Sequence, residues 1–251
     1  MKKLNFGQHQ VFIYNTTDEL KRAVAENIRV VCSERVKLTD KVSIALSGGS
    51  TPIGVYQNLL LDSSENAITP FPWQQALFFF GDERYVVHDD SESNYRMTRE
   101  AFLNSAPITN DQIYPVPTDC EQAETCAQRY ADQLMILEQN KKFPMFDYIL
   151  LGVGEDGHTA SLFPGTSIID EETKSVAAVY VEKLQAWRIS LTFPVLNRAR
   201  NCSVLACGEE KAGVLAEIML NDKNTYPVGK IENINGINWF VDQGAASKLT
   251  D

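Results

Sequence analysis

The stretch LLGVGEDGHTASLFPG, residues 150–165, joins an apolar run to a glycine-rich turn that ends in a histidine. The run that leads into it, FDYILLGVG (146–154), is short and almost wholly apolar. Such a run is typical of a strand that is buried on both faces of a parallel sheet. Parallel sheets bind ligands at the carboxyl ends of their strands, so we expect His158 to lie at a ligand-binding edge.

Four further apolar runs end in glycine or in polar residues, and helical patterns lie between them. Because strands and helices alternate, we predict an α/β fold with a Rossmann-like, mostly parallel central sheet flanked by helices. No Pro-rich linker or internal repeat interrupts the chain, which indicates a single domain over residues 1–251. The predicted strands lie in VSIALSGG (42–49), ALFFFGDE (76–83), RISLTFP (188–194) and CSVLACGEE (202–210), and the predicted helices span Thr17 to Glu34, Thr118 to Asn140 and Glu210 to Leu220.

Composition limits the classes of partner. The formal net charge is -10, which disfavours nucleic acid because binding to a phosphate backbone requires clustered basic residues. No run reaches the roughly 18 apolar residues of a membrane span, and the amino-terminal sequence lacks the pattern of a secretory signal. We therefore predict a cytoplasmic protein without membrane contact, and we expect a monomer or a weak homo-oligomer.

The cysteines and histidines do not indicate a metal site. The 5 cysteines show no CxxC spacing, and the 3 histidines form no HxxxH pair. These spacings predict neither a zinc site nor a disulfide framework.

The glycines of the opening stretch, Gly152, Gly154 and Gly157, have the GxGxxG spacing of a dinucleotide-binding turn. That motif requires a helix that begins within the glycines, but Pro164 would end such a helix after about two turns. Asp170 lies near the position of a ribose-binding acid, yet no second buried strand leads to it. We predict that no dinucleotide or other cofactor binds, and that the glycines form a tight turn against a ligand.

His158 follows that turn directly. An isolated histidine is more often a hydrogen-bonded structural residue than a catalytic one. Here Asp156 lies beside it and a buried strand precedes it, which favours a role in catalysis. Since an imidazole gains and loses a proton near neutral pH, His158 is a candidate general base.

A second loop, LSGGSTP (46–52), lies between a predicted strand and a helix that can begin at Pro52. Backbone N–H groups at the start of a helix attract anions, and glycines let an anion approach the backbone closely. The loop lacks the GK[ST] ending of a Walker motif, so we predict a simpler phosphate cradle. Its predicted phosphate-binding residues are Ser47, Gly48, Gly49, Ser50 and Thr51.

Charged residues follow other apolar runs. GDERYV (81–86) places Asp82 and Arg84 at the end of the FFF strand. Arg188 begins the run RISLTF, and Lys211 comes directly after CGEE in the first turn of a predicted helix. Each of these charges alone is more often a surface residue, but their shared position near the predicted sheet edge makes them candidates for binding an anion.

Six segments together resemble one known family. They are, in chain order, ALSGGSTP, GDERYV with DSESNYRM after it, LGVGEDGHTASLFPG, RISLTFPVLNRA, CGEEKA and NWFVDQGAAS. The family is that of the 6-phosphogluconolactonases, within the glucosamine-6-phosphate isomerase superfamily, and the resemblance runs from Leu46 to Ala246. It implies hydrolysis of the sugar-phosphate lactone 6-phosphoglucono-δ-lactone to 6-phosphogluconate in the oxidative pentose phosphate pathway.

The resemblance also implies roles for the candidate residues. His158 would be the base that takes a proton from water, with Asp156 or Asp82 orienting the ring. Asp82 and Arg84 would line the sugar side. Arg84 or the amides of the 154–157 turn would hold the oxyanion. The substrate phosphate would be bound by Ser47, Gly48, Gly49, Ser50, Thr51, Arg188 and Lys211.

Two other functions stay open. Glucosamine-6-phosphate deaminases share the glycine loop and the DGH, but they carry an acid five positions after the histidine, where this chain has Phe163. Non-catalytic sugar-phosphate sensors share the fold and usually add a DNA-binding domain. This acidic chain has no basic segment that suits such a domain.

Overall fold

A computed structural model describes residues 1–61, 69–137, 142–221 and 225–249. The main sheet of this part is parallel except for its first strand, which pairs antiparallel with the second. The predicted α/β class with a mostly parallel central sheet is therefore confirmed. In spatial order the strands are β1 (Lys2–Phe6), β2 (His9–Tyr14), β10 (Ile237–Asp242), β9 (Cys202–Ala206), β6 (Tyr148–Gly152), β3 (Val42–Leu46) and β4 (Ala76–Phe80).

A second, antiparallel sheet contains β5 (Asp82–Arg84), β8 (Ala186–Leu191) and β7 (Val176–Val181), in that order. The prediction that the run RISLTFP belongs to the parallel sheet is wrong, because this run forms β8. Only residues 182–185 connect β7 to β8, and a parallel pair needs a crossover of about a dozen residues. Arg188 thus lies inside a strand and not at the start of one.

Helices cover the sheets. The first helix begins after Thr16, whose side chain accepts a hydrogen bond from the Glu19 N–H (3.2 Å). Its buried face repeats at helical spacing through Leu20, Val24 and Ile28. None of the described helices combines the length and the apolar character needed to cross a bilayer. The helices are α1 (Thr17–Val36), α2 (Ser50–Leu60), α3 (Asn94–Thr98), α4 (Ala123–Leu134), α5 (Phe193–Leu196) and α6 (Ala212–Leu220).

Three predicted helix boundaries differ from the structure. The helix expected at Pro52 begins at Ser50, because Gly49 takes a left-handed conformation (φ 102°) and caps it. The helix expected from Thr118 begins at Ala123, and its predicted end at residues 138–140 lies outside the described residues. A 3-10 turn, Glu209–Lys211, precedes α6.

One disulfide joins Cys120 to Cys126. The spacing did not predict this bond. It forms because the chain before α4 turns back instead of continuing the helix, so that Cys120 meets the first helical turn. Among the described residues, Asp119, Cys120 and Cys126 form a group whose potential ligand atoms lie within 4.8 Å of one another. The disulfide bond uses both sulfur atoms of this group. The link is local and closes only a short loop.

The core lies on both faces of the main sheet. All five residues of β3, of β4 and of β9 are buried, as expected for parallel strands that helices cover on both sides. The strands β1, β2, β5, β7 and β10 were not predicted. Asp82 and Arg84, expected at the end of the FFF strand, instead form β5 of the second sheet. β2 alternates between buried and more exposed positions at its start, so it lacks the continuous apolar run that marks the central strands.

Candidate active site

A cleft of about 260 Å³ opens at the carboxyl ends of β3 and β6. The main sheet supplies one wall through the loops that follow these two strands, and the second sheet supplies another through β5. This is the edge at which parallel sheets bind ligands. The predicted site residues that line the cleft are Ser47, Gly48, Gly49, Asp82, Arg84 and His158.

The loop after β3 is held in a fixed shape. The Tyr56 hydroxyl of α2 donates to the Ser47 carbonyl (2.8 Å) and accepts from the Ser47 N–H (2.8 Å). No side chain caps the start of α2, and no acidic residue lies in its first turn. The first turn of the helix therefore adds no negative charge of its own to the positive end, which suits an anion-binding loop.

Asn94 is a cleft residue that the sequence did not reveal. Its side-chain amide donates to the Asp82 carbonyl (2.9 Å), and its backbone N–H donates to the buried Glu83 carboxylate (2.7 Å). A Cβ on Gly48 would lie 1.9 Å from the Asn94 Oδ1 atom. Gly48 is thus required because this amide lies directly against the loop.

Asp82 lines the cleft, but its carboxylate is already engaged. It accepts a hydrogen bond from the Ser161 hydroxyl (2.6 Å) and a longer one from the Asn94 amide (3.4 Å). Asp82 is only 9% exposed. These contacts join β5 to the loop after β6, so Asp82 holds two walls of the cleft together.

Two arginines lie side by side on the second sheet. Arg84 and Arg188 are directly opposite each other across β5 and β8, and opposed residues in an antiparallel pair share a face. Burial lowers the pKa of the Arg188 guanidinium, and the charge of Arg84 lowers it further. Among the described residues neither arginine forms an ion pair with a carboxylate. Such a pair of cations favours a dianionic ligand.

The glycine turn after β6 closes on itself. The Gly154 N–H donates to the His158 carbonyl (2.9 Å), and the Gly157 N–H donates to the Gly154 carbonyl (3.0 Å). Gly157 has a left-handed backbone (φ 72°), and a Cβ there would lie 2.4 Å from the Tyr226 ring. No α-helix begins at the turn, and the next element in the chain is a 3-10 turn at Ser167–Asp170. The glycines therefore position His158.

His158 is oriented by Asp156. The His158 Nδ1 atom lies 2.5 Å from the Asp156 Oδ1 atom, and the second carboxylate oxygen accepts from Lys183. Burial acts to raise the pKa of Asp156, but the hydrogen bonds from Lys183 and His158 outweigh it and lower that pKa to about 2. Because Nδ1 faces the carboxylate, Nε2 is left for the cleft, and no described residue hydrogen-bonds to it.

Phe163 supports the histidine from one side. The two rings stack with their centroids 4.1 Å apart, and the planes differ by 25°. Phe163 occupies the position at which the related deaminases carry an acid. In this chain that position supplies an apolar surface to the imidazole and has no group that can transfer a proton.

The remaining predicted residues lie around the cleft without lining it. Ser50 is exposed and Thr51 is partly buried, both in the first turn of α2. The Lys211 side chain is 17% exposed, and its Nζ atom lies 3.9 Å from the Glu155 carboxylate on the glycine turn. The predicted site residues thus form two groups. Asp82, Arg84 and Arg188 lie on β5 and β8, and the others lie on or beside the loop after β3 and the glycine turn after β6.

A larger cavity, of about 530 Å³, lies around Asp147, just before β6. Its two arginines are already paired there, since the Arg35 Nε atom lies 2.6 Å and the Arg200 Nε atom 3.3 Å from the Asp147 carboxylate. This cavity lies at the amino ends of the strands and holds no histidine. The smaller cleft is therefore the better candidate for an active site.

Comparison with known proteins defines the class. The family described as glucosamine-6-phosphate isomerases/6-phosphogluconolactonase matches residues 15–239. Because this match covers most of the chain, the chain belongs to that family, and the resemblance seen in the sequence is confirmed.

Similar individual proteins in that family are named 6-phosphogluconolactonase. The chain is 38% identical over 211 residues to the 6-phosphogluconolactonase of Synechocystis sp., which covers 82% of this chain and 84% of the relative. It is 34% identical over 248 residues to the 6-phosphogluconolactonase of Homo sapiens, with 96% and 93% covered. The solved 6-phosphogluconolactonase from Trypanosoma cruzi superposes with a TM-score of 0.84 at 29% identity, and the comparison covers 100% of each chain.

Proposed function

We propose that the chain hydrolyses 6-phospho-D-glucono-1,5-lactone to 6-phospho-D-gluconate, the second step of the oxidative pentose phosphate pathway. Its relatives carry the name of this activity. The observation that carries the proposal is a histidine, oriented by Asp156, in the same cleft as a glycine cradle and Arg84. This arrangement combines a base with groups that bind an anion.

His158 acts as a general base on water. Its Nε2 atom takes a proton while the water oxygen forms a bond to C1 of the lactone, and the carbonyl electrons move to the oxygen. When the carbonyl re-forms, the bond from C1 to the ring oxygen breaks, and the imidazolium returns its proton to that oxygen. Asp156 stabilises the imidazolium in between.

No covalent intermediate is needed. Two serine hydroxyls are engaged elsewhere, that of Ser47 in the cleft lining with the Gly48 carbonyl (3.2 Å) and that of Ser161 with Asp82. Neither hydroxyl contacts His158, so the cleft lacks the nucleophile–base pair of a serine hydrolase in its described part. Water is the nucleophile that remains.

Arg84 is the better candidate for holding the oxyanion. Of the turn amides proposed from the sequence, those of Gly154 and Gly157 already donate within the turn. Arg84 lines the cleft and has no carboxylate partner among the described residues. A charged donor that is fixed at the developing oxyanion contributes a few kcal/mol, about 2.7–4 for one oxyanion-hole group.

The substrate phosphate binds to the SGGST loop, Arg188 and Lys211. The loop offers backbone N–H groups at the start of α2, and the two cations offset the repulsion from a chain of net charge -10. Phosphate binding is remote from the reacting carbon, and it positions the lactone carbonyl against the water held by His158.

A glucosamine-6-phosphate deaminase is the alternative within the family. It is disfavoured because Phe163 stacks on the histidine where the deaminase acid would stand. A non-catalytic sensor is disfavoured by the oriented histidine. The cytoplasmic location, the absence of a nucleic-acid partner, and the monomer or weak homo-oligomer remain predictions.

A direct assay tests the proposal. Glucose-6-phosphate dehydrogenase generates the lactone in place, and acid release is followed against the spontaneous rate. We expect catalysed hydrolysis by the wild type and a rate lower by about 100-fold or more for His158→Ala. Release of ammonia from glucosamine 6-phosphate, or acid formation no faster than the spontaneous rate, would exclude the lactonase.

A further inference from the structure

Lys183 contacts both groups that support His158. Its Nζ atom donates to the Asp156 carboxylate and lies 4.7 Å above the centre of the Phe163 ring. The imidazole stacks on that same ring and binds the other carboxylate oxygen of Asp156. Four side chains therefore form a closed set, in which Lys183 is the member that comes from the second sheet.

Lys183 lies in the 3-10 turn Glu182–Leu184, which joins β7 to β8. It is 27 positions away from Asp156 along the chain. The turn therefore reaches across to the glycine loop, and Lys183 connects the hairpin that carries Arg188 to the loop that carries the base.

We propose that Lys183 is a positioning residue for the lactonase reaction, which fixes the Asp156 carboxylate so that His158 presents Nε2 to the substrate water. This inference rests on the proposed function. Without Lys183 the Asp156 carboxylate would be held through Oδ1 alone, which accepts from the His158 ring and from the His158 N–H (3.2 Å). Its Oδ2 atom would then have no partner from Lys183, and the Asp156 side chain is 32% exposed. The charge-assisted bond from Lys183 holds this second oxygen.

The lysine also sets the charge of the unit. With Lys183 present, the resting lysine, carboxylate and neutral imidazole sum to zero, and proton uptake makes the unit cationic. Without the lysine the resting unit is anionic, and protonation of the ring is easier. The comparison of Lys183→Met with the wild type therefore tests whether Lys183 acts on the ring through the Asp156 carboxylate. The charged groups that face the ring from other elements, Asp82 and Arg84 across the cleft, are unchanged by this substitution.

Glu155 and Lys211 belong to the same environment. Glu155 lies on the glycine turn and Lys211 in the 3-10 turn before α6, and their charged atoms are 3.9 Å apart. Because Glu155 and Lys211 pair with each other, we attribute the electrostatic effect on the His158 ring to Lys183 and Asp156.

Two variants and a matched control test the proposal. In Lys183→Met, we expect kcat to fall about tenfold with little change in KM, since the lysine lies outside the cleft lining. The acidic limb of the kcat/KM profile should move to higher pH by roughly half a unit or more. Lys183→Arg should restore most of kcat. Lys174→Met removes another exposed lysine, which lies just before β7 at the other end of that strand, and should change neither quantity.

A measurement without substrate separates this inference from the proposed function. The chain has 3 histidines, so proton NMR resolves each ring, and His158→Ala assigns one of them. In Lys183→Met the titration curve of the His158 ring should move to higher pH, even if the wild type proves inactive on the lactone. An unmoved curve, or a rise in KM at constant kcat, would overturn the positioning role.

Discussion

Asp147 lies just before β6 and Asp156 lies beyond its end, and the two carboxylates have different partners at opposite edges of the sheet. Asp147, at the amino end, accepts from Arg35 (2.6 Å) and from the Ser43 N–H (2.9 Å), and it is 7% exposed. Asp156, beyond the carboxyl end, accepts from His158 and Lys183 and leaves one ring nitrogen free for a ligand. The first carboxylate is held by protein groups on both sides, whereas the second holds a ring whose other nitrogen has no hydrogen-bond partner among the described residues.

The arginines extend this contrast. Near Asp147, Arg35 and Arg200 share one carboxylate, which lies 2.6 Å from the Arg35 Nε atom and 3.3 Å from the Arg200 Nε atom. In the cleft, Arg84 and Arg188 lie together without a carboxylate partner among the described residues. Two adjacent cations repel each other, the charges of Asp82, Glu92 and Glu83 offset part of this repulsion at Arg188, and a bound anion would offset more of it. Unpaired charge therefore identifies the functional cavity better than volume does.

The largest expected effect is on the rate. His158→Ala should lower kcat by about 100- to 10,000-fold, the range of general acid–base catalysis, because the carboxylate in the described cleft lining, Asp82, is already engaged by Ser161 and Asn94. Affinity for 6-phosphogluconate, measured by calorimetry, should change little. If His158→Ala turned over near the wild-type rate, His158 would not be the base, and the Asp156 network would have no more catalytic role than the Asp147 network.

Asp147→Ala should act on stability instead. Removing the carboxylate leaves Arg35 and Arg200 without a partner, and loss of one member of a buried ion pair costs about 3–5 kcal/mol. Urea unfolding measures this loss, and kcat of the folded variant should stay near the wild-type value. The matched variant Asp156→Ala should show the opposite pattern, with a large loss of kcat and a change of less than about 1 kcal/mol in stability.

The cleft could be predicted from the sequence where its parts are local. The β6 strand, the glycine turn and His158 are contiguous, and the SGGST loop follows β3 directly. Short-range spacing and the rule that ligands bind at the carboxyl ends of parallel strands sufficed for these. The predicted start of α2 was wrong because the conformation of one turn residue, Gly49, determines where the helix begins.

Long-range contacts could not be predicted in this way. Lys183 resembles a solvent-exposed lysine in a hairpin turn, and only the fold brings it to Asp156. Asn94 acquires its role from Gly48, 46 positions earlier, through contact across two loops. The strand of Arg188 was assigned to the wrong sheet because a buried apolar run has the same pattern in parallel and antiparallel sheets.

Substitutions of the predicted phosphate ligands should have intermediate effects. Arg188→Ala and Lys211→Ala should each raise KM about tenfold or more, the value of one hydrogen bond to a charged group, with a smaller change in kcat. Competition by inorganic phosphate should weaken in parallel. If KM is unchanged in both variants, the phosphate binds elsewhere, and Arg84 with the SGGST loop is the alternative.

The smallest expected effect is on acid stability. The pKa of Asp156 is about 2 in the folded chain, below its usual value of 3.8, so the folded state favours the ionised form. Its contribution to stability is complete above pH 3.8 and is lost as the pH falls toward 2. In Asp156→Asn that pH-dependent part is absent, so the difference in free energy of unfolding from wild type should shrink between pH 5 and about 2.5. Because the side chain is partly exposed, salt should reduce the difference as well. A difference that stays constant with pH would mean that Lys183 and His158 do not hold the carboxylate in the folded chain.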